Sequence, residues 1–240
     1  MKPYINTMIF RGVNSPSYPQ SRQTADCAAA GYPLVEVRRE LFFRLPGELS
    51  ETGGTARDHG VGLLYSVPAA LFGPDGAFLH EAAAGWFREA AVLGARAVKL
   101  SLGEYQTISD RDLVRLDRLT RKMPLLVENG PTGSNGSLYQ TALFLDACAA
   151  RGLPVGHTFD VGNYARRGIP LAEAAAVLAP HVRCLHLKDL RDGVTVPLGQ
   201  GDLDLSGILD AFPQAWAALE YPCGPEGPLA EAGRTFSLLK

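Results

Sequence analysis

Four side chains in the second half of the sequence could bind a metal ion or transfer a proton: Glu128, Asp160, His186 and Glu220. Each of them stands at the end of a short apolar run of the kind that forms a buried strand. Successive members are separated by roughly thirty residues, the length of one strand–helix repeat in an α/β barrel. If the four runs are neighbouring parallel strands, these groups meet at the carboxyl-terminal edge of one sheet.

Three carboxylates and one imidazole in a buried mouth need a neutralising partner, because removing like charges from water costs several kcal/mol apiece. A divalent cation would supply that partner. A ligand set of three oxygens and one nitrogen with open positions suits Mn²⁺, Mg²⁺ or Co²⁺, and Zn²⁺ is a further option. The alternative is a buried network of ion pairs in which Lys99, Arg38 or Lys188 neutralises the acids.

The elements that would position these groups follow from the periodicity of the whole sequence. Short β-branched, apolar runs alternate with amphipathic runs rich in Ala and Leu, which predicts parallel strands covered by helices. Strands are expected at residues 5–11, 34–38, 62–67, 97–102, 125–129, 156–160, 182–187 and 217–221. Helices are expected at residues 21–30, 46–59, 76–93, 109–122, 137–151, 170–179, 205–211 and 229–239.

Eight strand–helix units without a linker predict a single α/β domain over residues 1–240, folded as a closed (β/α)8 TIM barrel. An open, doubly wound sheet is the alternative for the same pattern. Alternation along the strands places the residues two positions before the four candidate ligands inside the barrel as well: Leu126, Thr158, Cys184 and Ala218. These side chains suit a barrel interior.

Composition restricts the class of partner. The formal net charge is −2 and no long run carries one sign, so no basic footprint for nucleic acid or an anionic membrane is present. We find no signal peptide and no apolar stretch of membrane-spanning length, so a cytoplasmic protein acting on a small molecule is expected. The sequence has no Cys-x-x-Cys motif, and its scattered cysteines are expected to be reduced core residues: Cys27, Cys148, Cys184 and Cys223.

Six short motifs follow one another at the predicted strand ends. They are VEVR at 35–38, LVEN at 126–129, FDVGN at 159–163, HLKD at 186–189, PLGQGD at 197–202 and LEY at 219–221. In this order and spacing they make the sequence resemble the xylose isomerase-like TIM barrels. That family contains sugar isomerases and epimerases, inosose dehydratases, hydroxypyruvate isomerases and type IV endonucleases.

The resemblance implies that Glu128, Asp160, His186 and Glu220 bind one divalent metal ion. It further implies that Glu128 and Glu220 are the acid/base pair of an isomerase or epimerase. Such an enzyme moves a proton next to the carbonyl of a small sugar, keto-sugar or hydroxy-carbonyl compound through an enediolate. Two alternatives from the same fold stay open: a metal-dependent dehydratase similar to inosose dehydratase, and a non-catalytic sugar-binding barrel. The endonucleases need a His-rich three-metal cluster, which the five histidines of this sequence fit poorly.

Two features depart from the keto-sugar epimerases. These enzymes often carry a histidine three residues after the metal-binding aspartate, where this sequence has Asn163. The sequence is also short, so the insertions that cover the substrate in longer relatives are expected to be trimmed. Exclusion of water would then need a partner subunit, which makes a homo-oligomer an option.

Further residues near the strand ends are candidates for substrate binding: Glu36, Arg38, Lys99, Asn163 and Lys188. Glu36 and Arg38 share one face of their strand and could equally pair with each other. A buried pairing role is the alternative for Lys99. Lys188 and its neighbour Asp189 could instead orient His186 or anchor the loop that follows.

Two Gly-rich segments lie beside these strand ends. Residues 130–136 lack the Gly-Lys-Ser/Thr ending of a phosphate loop, so we predict a flexible active-site turn there. Residues 199–202 could close over the site, or form a plain loop before the next helix.

Overall fold

The computed structural model describes residues 1–130, 137–224 and 227–239. Its strands are β1 (Lys2–Pro3), β2 (Ile5–Asn6), β3 (Leu34–Arg38), β4 (Gly62–Phe72), β5 (Ala97–Gly103), β6 (Leu125–Glu128), β7 (Val155–Asp160), β8 (Val182–Leu187), β9 (Asp189–Arg191), β10 (Val194–Val196) and β11 (Trp216–Leu219). Its α-helices are α1 (Gln20–Ala29), α2 (Gly47–Asp58), α3 (His80–Leu93), α4 (Asp110–Thr120), α5 (Leu138–Ala150), α6 (Val161–Arg166), α7 (Leu171–Leu178), α8 (Ser206–Ala211) and α9 (Pro228–Leu238). None of these helices combines the length and apolar character needed to cross a membrane.

Nine strands form one sheet, in the order β1, β11, β8, β7, β6, β5, β4, β3, β2, and neighbouring strands run parallel. Strand β1 pairs with β11, strand β2 pairs with β3, and only Tyr4 separates β1 from β2. The two edges of the sheet therefore meet at this first segment, and the sheet curls into a barrel. The predicted α/β barrel is confirmed.

The first strand is shorter than the predicted range of residues 5–11. It ends at Asn6, and residues Thr7–Phe10 form a 3₁₀-helix. The Asn6 side chain caps this helix by accepting the Met8 N–H at 2.9 Å. The apolar run that predicts a longer strand is explained by burial, because Ile9 and Phe10 are each only 1% exposed.

Two other elements were not expected from the sequence. Helix α6 begins directly after Asp160, whose Oδ1 accepts the Asn163 N–H at 2.9 Å and caps the helix. Its 6 residues are too few to show helical periodicity. The hairpin of β9 and β10 occupies part of the polar segment after β8, outside the barrel sheet.

Apolar side chains fill the barrel and surround it in two layers. The interior layer contains Tyr4, Leu34, Leu64, Ala97, Leu126, Cys184 and Ala218. A larger cluster packs the outer face of the sheet against the helices. Leu126, Cys184 and Ala218 thus lie where alternation places them, and Thr158 is also fully buried. The four cysteines are buried and unpaired, as expected.

His157 on β7 is a fully buried histidine of the outer layer. Its Nδ1 lies 2.8 Å from the Val127 carbonyl oxygen, and its Nε2 lies 3.2 Å from the Tyr164 hydroxyl. Because a carbonyl oxygen only accepts, Nδ1 carries the hydrogen and Nε2 accepts from Tyr164. Burial lowers the pKa of His157 to about 4, so the ring is neutral at neutral pH.

Acidification should destabilise the protein through His157. The unfolded chain takes up this proton near the ordinary pKa of 6.5 and the folded chain only near 4, so stability is present above pH 6.5 and lost as the pH falls toward 4. Between about pH 7 and pH 5 the loss should be about 2 kcal/mol. Urea unfolding should show a shallower pH dependence for His157→Asn than for wild type. The exposed His59, changed to Asn, should keep the wild-type slope, and an unchanged slope for His157→Asn would contradict the assignment.

Candidate metal centre at the barrel mouth

The four predicted ligands meet at the carboxyl ends of adjacent strands. Glu128, Asp160 and His186 lie at the ends of β6, β7 and β8, and Glu220 directly follows β11. One ligand atom from each of the four lies within 4.8 Å of the others. Asp160 and His186 are fully buried, and the side chains of Glu128 and Glu220 are 12% and 8% exposed. The register of the sheet therefore brings together residues that are far apart in the sequence.

Three buried polar atoms of this cluster have no hydrogen-bond partner: Glu128 Oε1, Asp160 Oδ2 and His186 Nδ1. Glu128 Oε1 and His186 Nδ1 are only 2.6 Å apart, yet their geometry is not that of a hydrogen bond. Such a contact is expected when two metal-binding atoms are directed at the same metal ion. These atoms are an oxygen, an oxygen and an imidazole nitrogen, which are the ligand types of a divalent cation.

The second ring nitrogen of His186, Nε2, faces Glu36 rather than the cluster. It lies 2.9 Å from Glu36 Oε2. Tyr4 donates its hydroxyl to the same oxygen at 2.8 Å, and Asn6 donates to Glu36 Oε1 at 3.2 Å. Because a carboxylate only accepts, Nε2 carries a hydrogen, and Nδ1 is the ring nitrogen that faces the cluster. This arrangement orients an imidazole for metal binding.

The two strand-end carboxylates are held in the same way through their other oxygens. Lys99 donates to Glu128 Oε2 at 2.7 Å, which leaves Oε1 for the cluster. Asp160 Oδ1 accepts the N–H of Asn163, which leaves Oδ2. The Asn129 side chain donates to the Asp160 carbonyl at 3.0 Å and accepts its N–H at 2.9 Å. Each side chain thus presents one atom to the centre and is fixed by another.

Glu220 and Lys188 differ from this pattern. Both oxygens of Glu220 accept hydrogen bonds at 2.7 Å, Oε1 from Arg38 and Oε2 from Lys188. The ammonium of Lys188 also lies 2.6 Å from Asp160 Oδ2, one of the three atoms without a hydrogen bond. The ion-pair network considered as an alternative is therefore present around the cluster, and Lys188 is the member that reaches its centre.

Charge is balanced unevenly across the cluster. Burial opposes ionisation of Glu36, but His186 and Lys99 outweigh it and lower its pKa to about 2. Burial raises the pKa of Asp160 to about 7, although Lys188 opposes this, and the charges of Glu220 and Glu128 raise it further. Negative charge is therefore least compensated at Asp160.

A proton and a metal ion are alternative occupants of His186 Nδ1. Burial disfavours the imidazolium, but the carboxylates of Glu36 and Glu220 outweigh it and raise the pKa of His186 well above its ordinary value. A divalent cation bound at the same nitrogen would replace that proton. The donor set, with its three atoms that make no hydrogen bond, fits Mn²⁺, Mg²⁺ or Co²⁺.

A cavity of about 310 Å³ opens over this cluster and includes Glu128 and Glu220 in its wall. Its volume is at the lower end of the range for small-molecule sites. Among the predicted substrate-binding residues, Arg38, Asn163 and Lys188 line it. A larger cavity of about 810 Å³ lies at the opposite end of the barrel and contains none of the predicted site residues.

Glu36 and Lys99 lie beneath the cluster. They are 1% and 3% exposed, and Lys99 Nζ is 3.6 Å from Glu36 Oε1. Glu36 does not pair with Arg38, which contacts Glu40 at 2.6 Å and Glu220 instead. Glu36 and Lys99 therefore support the ligands, since Glu36 contacts His186 and Lys99 contacts Glu128.

Sequence reasoning missed the contribution of the first segment. Tyr4 and Asn6 contact Glu36, and Met8 and Arg11 line the mouth cavity. The signal was the alternation of Tyr4 and Asn6 around Ile5, which puts both polar side chains on the inner face. Thr195, from the unexpected hairpin, completes another part of the wall.

Asp189 anchors the loop after β8. Its carboxylate accepts four backbone N–H groups at 2.9 to 3.1 Å, from Leu190, Gly199, Gly201 and Leu203. A Cβ on Gly201 would lie 2.2 Å from Asp189 Oδ1, so this close approach needs glycine. Of the two roles considered for Asp189, loop anchoring is the one its contacts support.

Asp189→Asn should destabilise the protein by about 2–4 kcal/mol, because the new amide replaces one acceptor oxygen and leaves two of the four N–H groups without their partner. Urea unfolding measures the loss, and proteolysis should cut within residues 197–204 faster than in wild type. Asp192→Asn is the matched control, because Asp192 is exposed and its positive φ of 52° suits asparagine. Equal stability of the two variants would argue against the anchor.

No protein-family model matches the sequence, and no curated protein matches it. Solved structures match its fold. The D-psicose 3-epimerase of Clostridium cellulolyticum H10 is 12% identical, with a TM-score of 0.72 over 100% of this chain and 98% of that one. The probable 3-DHS dehydratase AsbF of Bacillus anthracis is 14% identical, with a TM-score of 0.73 over 100% and 99%. A fusion of a xylose isomerase-like TIM barrel with 4-hydroxyphenylpyruvate dioxygenase is 16% identical, with a TM-score of 0.76 over 100% of this chain and 42% of the fusion.

The chain has the xylose isomerase-like TIM-barrel fold. The resemblance carried by the strand-end motifs is thereby confirmed for the fold. Of the two Gly-rich segments, residues 131–136 lie outside the described residues, so the predicted active-site turn stays a prediction. Residues 199–202 of this xylose isomerase-like barrel are held by Asp189 rather than lying free over the mouth.

Proposed function

We propose that this protein is a divalent-metal-dependent isomerase or epimerase acting on a small sugar, keto-sugar or hydroxy-carbonyl compound. The observation that carries the proposal is the convergence of Glu128 Oε1, Asp160 Oδ2 and His186 Nδ1, buried and without hydrogen bonds, below a small open cavity. Structural cores rarely leave several buried polar atoms without hydrogen bonds in one place.

The neighbouring structures support the choice of substrate class. Two of them are described as epimerases of the ketoses D-psicose and L-ribulose, and one as an epimerase of a 3-keto-glucoside. The cavity of about 310 Å³ suits a molecule of that size. Arg38, Lys188 and Asn163 on its wall offer hydrogen-bond donors or acceptors to hydroxyl and carbonyl oxygens.

The ligands we assign to the cation are Glu128, Asp160, His186 and Glu220. When bound, a divalent cation would polarise a carbonyl group and make the neighbouring C–H more acidic. Lys99 and Arg38 hold Glu128 and Glu220 ionised, since each donates a hydrogen bond to its carboxylate. Both glutamates can therefore accept a proton near neutral pH.

The two glutamates provide the proton transfers. One carboxylate removes the proton from the carbon next to the carbonyl, which leaves an enediolate. Return of that proton to the adjacent carbon, with the hydroxyl proton passing from one oxygen to the other, gives isomerisation. Epimerisation instead needs a different proton at the opposite face of the same carbon, delivered by the second glutamate after that glutamate has taken a proton from solvent.

The proposal is tested by metal content and by hydrogen exchange. The protein treated with a chelator should lose activity on a panel of ketoses, and Mn²⁺, Co²⁺ or Mg²⁺ should restore it. In heavy water, epimerisation should place a solvent deuteron on the inverted carbon, whereas isomerisation should place one only where the protonated glutamate exchanges with solvent before it returns its proton. Full activity of demonstrably metal-free protein would rule out the metal-dependent reaction.

A dehydratase is the second candidate, because Lys188 provides a protonated group at the cavity wall, 2.7 Å from Glu220 Oε2. After a glutamate removes the α-proton, an ammonium there could protonate a departing hydroxyl. The likeness to the probable 3-DHS dehydratase agrees with this reading. Ultraviolet absorbance of a conjugated product, without deuterium in the recovered substrate, would favour the lyase over the isomerase.

A further inference from the structure

The position of the Lys188 side chain depends on Gly162, which has no side chain of its own. A Cβ on Gly162 would lie 2.5 Å from Lys188 Cγ and 2.7 Å from Cδ. The aliphatic part of Lys188 therefore runs directly along the first turn of α6, in space that only glycine leaves open. Lys188 is 6% exposed, so its ammonium has few other positions.

This path delivers the ammonium to one of the converging ligand atoms. Lys188 Nζ lies 2.6 Å from Asp160 Oδ2 and donates to Glu220 Oε2 at 2.7 Å. A divalent ion bound to Asp160 Oδ2 would stand within a few ångströms of the ammonium. Two cations at that separation in a buried site repel strongly.

The other two cations of the cluster contact only oxygens that accept hydrogen bonds. Lys99 contacts Glu128 through Oε2, while Oε1 is the oxygen directed at the centre. Arg38 donates to Glu220 Oε1 from the rim, beside Glu40. Lys188 alone among these three contacts an oxygen that lacks a hydrogen bond.

We infer that Lys188 is a tethered cation that competes with the divalent metal ion for Asp160. The inference rests on the proposed metal centre and adds a control on its occupancy. Metal affinity is held low while the ammonium stays on Asp160. A ligand whose oxygen accepts a hydrogen bond from Lys188 draws the ammonium away and raises metal affinity, and the metal raises affinity for that ligand by the same factor.

Two variants separate the position of Lys188 from its charge. Lys188→Met removes the ammonium, whereas Gly162→Ala keeps every charge and displaces the lysine by the new methyl group. Alanine is compatible with the helical backbone at Gly162, so this variant should fold. Lys122→Met is the control for Lys188→Met, because Lys122 is exposed. Circular dichroism confirms folding of each protein before titration.

The measurement is calorimetric titration of each chelator-treated protein with Mn²⁺. Lys188→Met and Gly162→Ala should both bind Mn²⁺ at least about tenfold more tightly than wild type, and Lys122→Met should match wild type. Equal affinities in all four proteins would overturn the competition while leaving the metal centre intact. Tighter binding by Lys188→Met alone would overturn positional competition in favour of a simple charge effect. Absence of Mn²⁺ binding in every protein would overturn the proposed metal centre, and the competition with it.

Discussion

Replacing Glu128 by glutamine is expected to lower kcat by about 10²- to 10⁴-fold, the usual contribution of a positioned acid/base group. Glutamine has nearly the same shape and can still accept the hydrogen bond of Lys99, so the barrel should fold. It cannot take up a proton, and it is a weaker metal ligand than a carboxylate. Steady-state kinetics with the ketose identified by the substrate panel measures the change.

The control for this variant is Glu81→Gln on α3, whose side chain is 93% exposed and does not line the mouth cavity. It should retain wild-type kcat and KM. Circular dichroism of Glu128→Gln should match wild type, which separates lost chemistry from lost structure. Undiminished turnover by a folded Glu128→Gln protein would remove Glu128 from the proposed proton transfer.

Replacing Lys99 by methionine is expected to lower the free energy of unfolding by about 3–5 kcal/mol, the cost of removing one partner from a buried ion pair. The ammonium lies 2.7 Å from Glu128, 3.6 Å from Glu36 and 4.0 Å from Glu220, so its loss leaves buried carboxylates uncompensated. The pKa of Glu36 is held at about 2 partly by Lys99 and should rise in the variant. Urea unfolding at pH 7 gives the size of the effect.

Two further measurements identify the cause of that destabilisation. The deficit of Lys99→Met should shrink as the pH is lowered toward 4, because protonation neutralises the uncompensated carboxyls. Added Mn²⁺ should also restore part of the lost stability, since a ligand that binds only the folded state stabilises it. Lys122→Met should change stability by less than about 0.5 kcal/mol, as exposed substitutions usually do. A deficit independent of both pH and Mn²⁺ would point to packing instead.

The positions of the ligands could be predicted because each depends on a local pattern. A buried strand such as residues 182–187 is visible as a short apolar run, and its last residues lie at the catalytic end of any parallel barrel. The spacing of Glu128, Asp160, His186 and Glu220 then gives their convergence. The only further assumption is that the strands are neighbours and end at the same edge of the sheet.

The partners of those ligands could not be predicted, because they depend on contacts between distant strands. Whether Lys99 reaches Glu128 or Glu36 is decided by the barrel interior, and the sequence left Glu36 and Arg38 free to pair with each other. Helix α6 was also missed, because its start is fixed by one capping contact of Asp160 rather than by periodicity. Tyr4 was missed because it lies between two strands of only 2 residues each, β1 and β2, where alternation is hard to recognise.

The segment Lys2–Asn6 has a consequence for the order of events during synthesis. It precedes every other strand of the barrel in the sequence, yet β1 pairs with β11, and the Tyr4 hydroxyl lies 3.1 Å from His186 Nε2 across 182 positions of sequence. Neither contact can form until the strands and helices between the two partners have been made. A nascent chain that lacks β11 and Glu220 therefore has neither a sealed barrel nor all four of the proposed metal ligands.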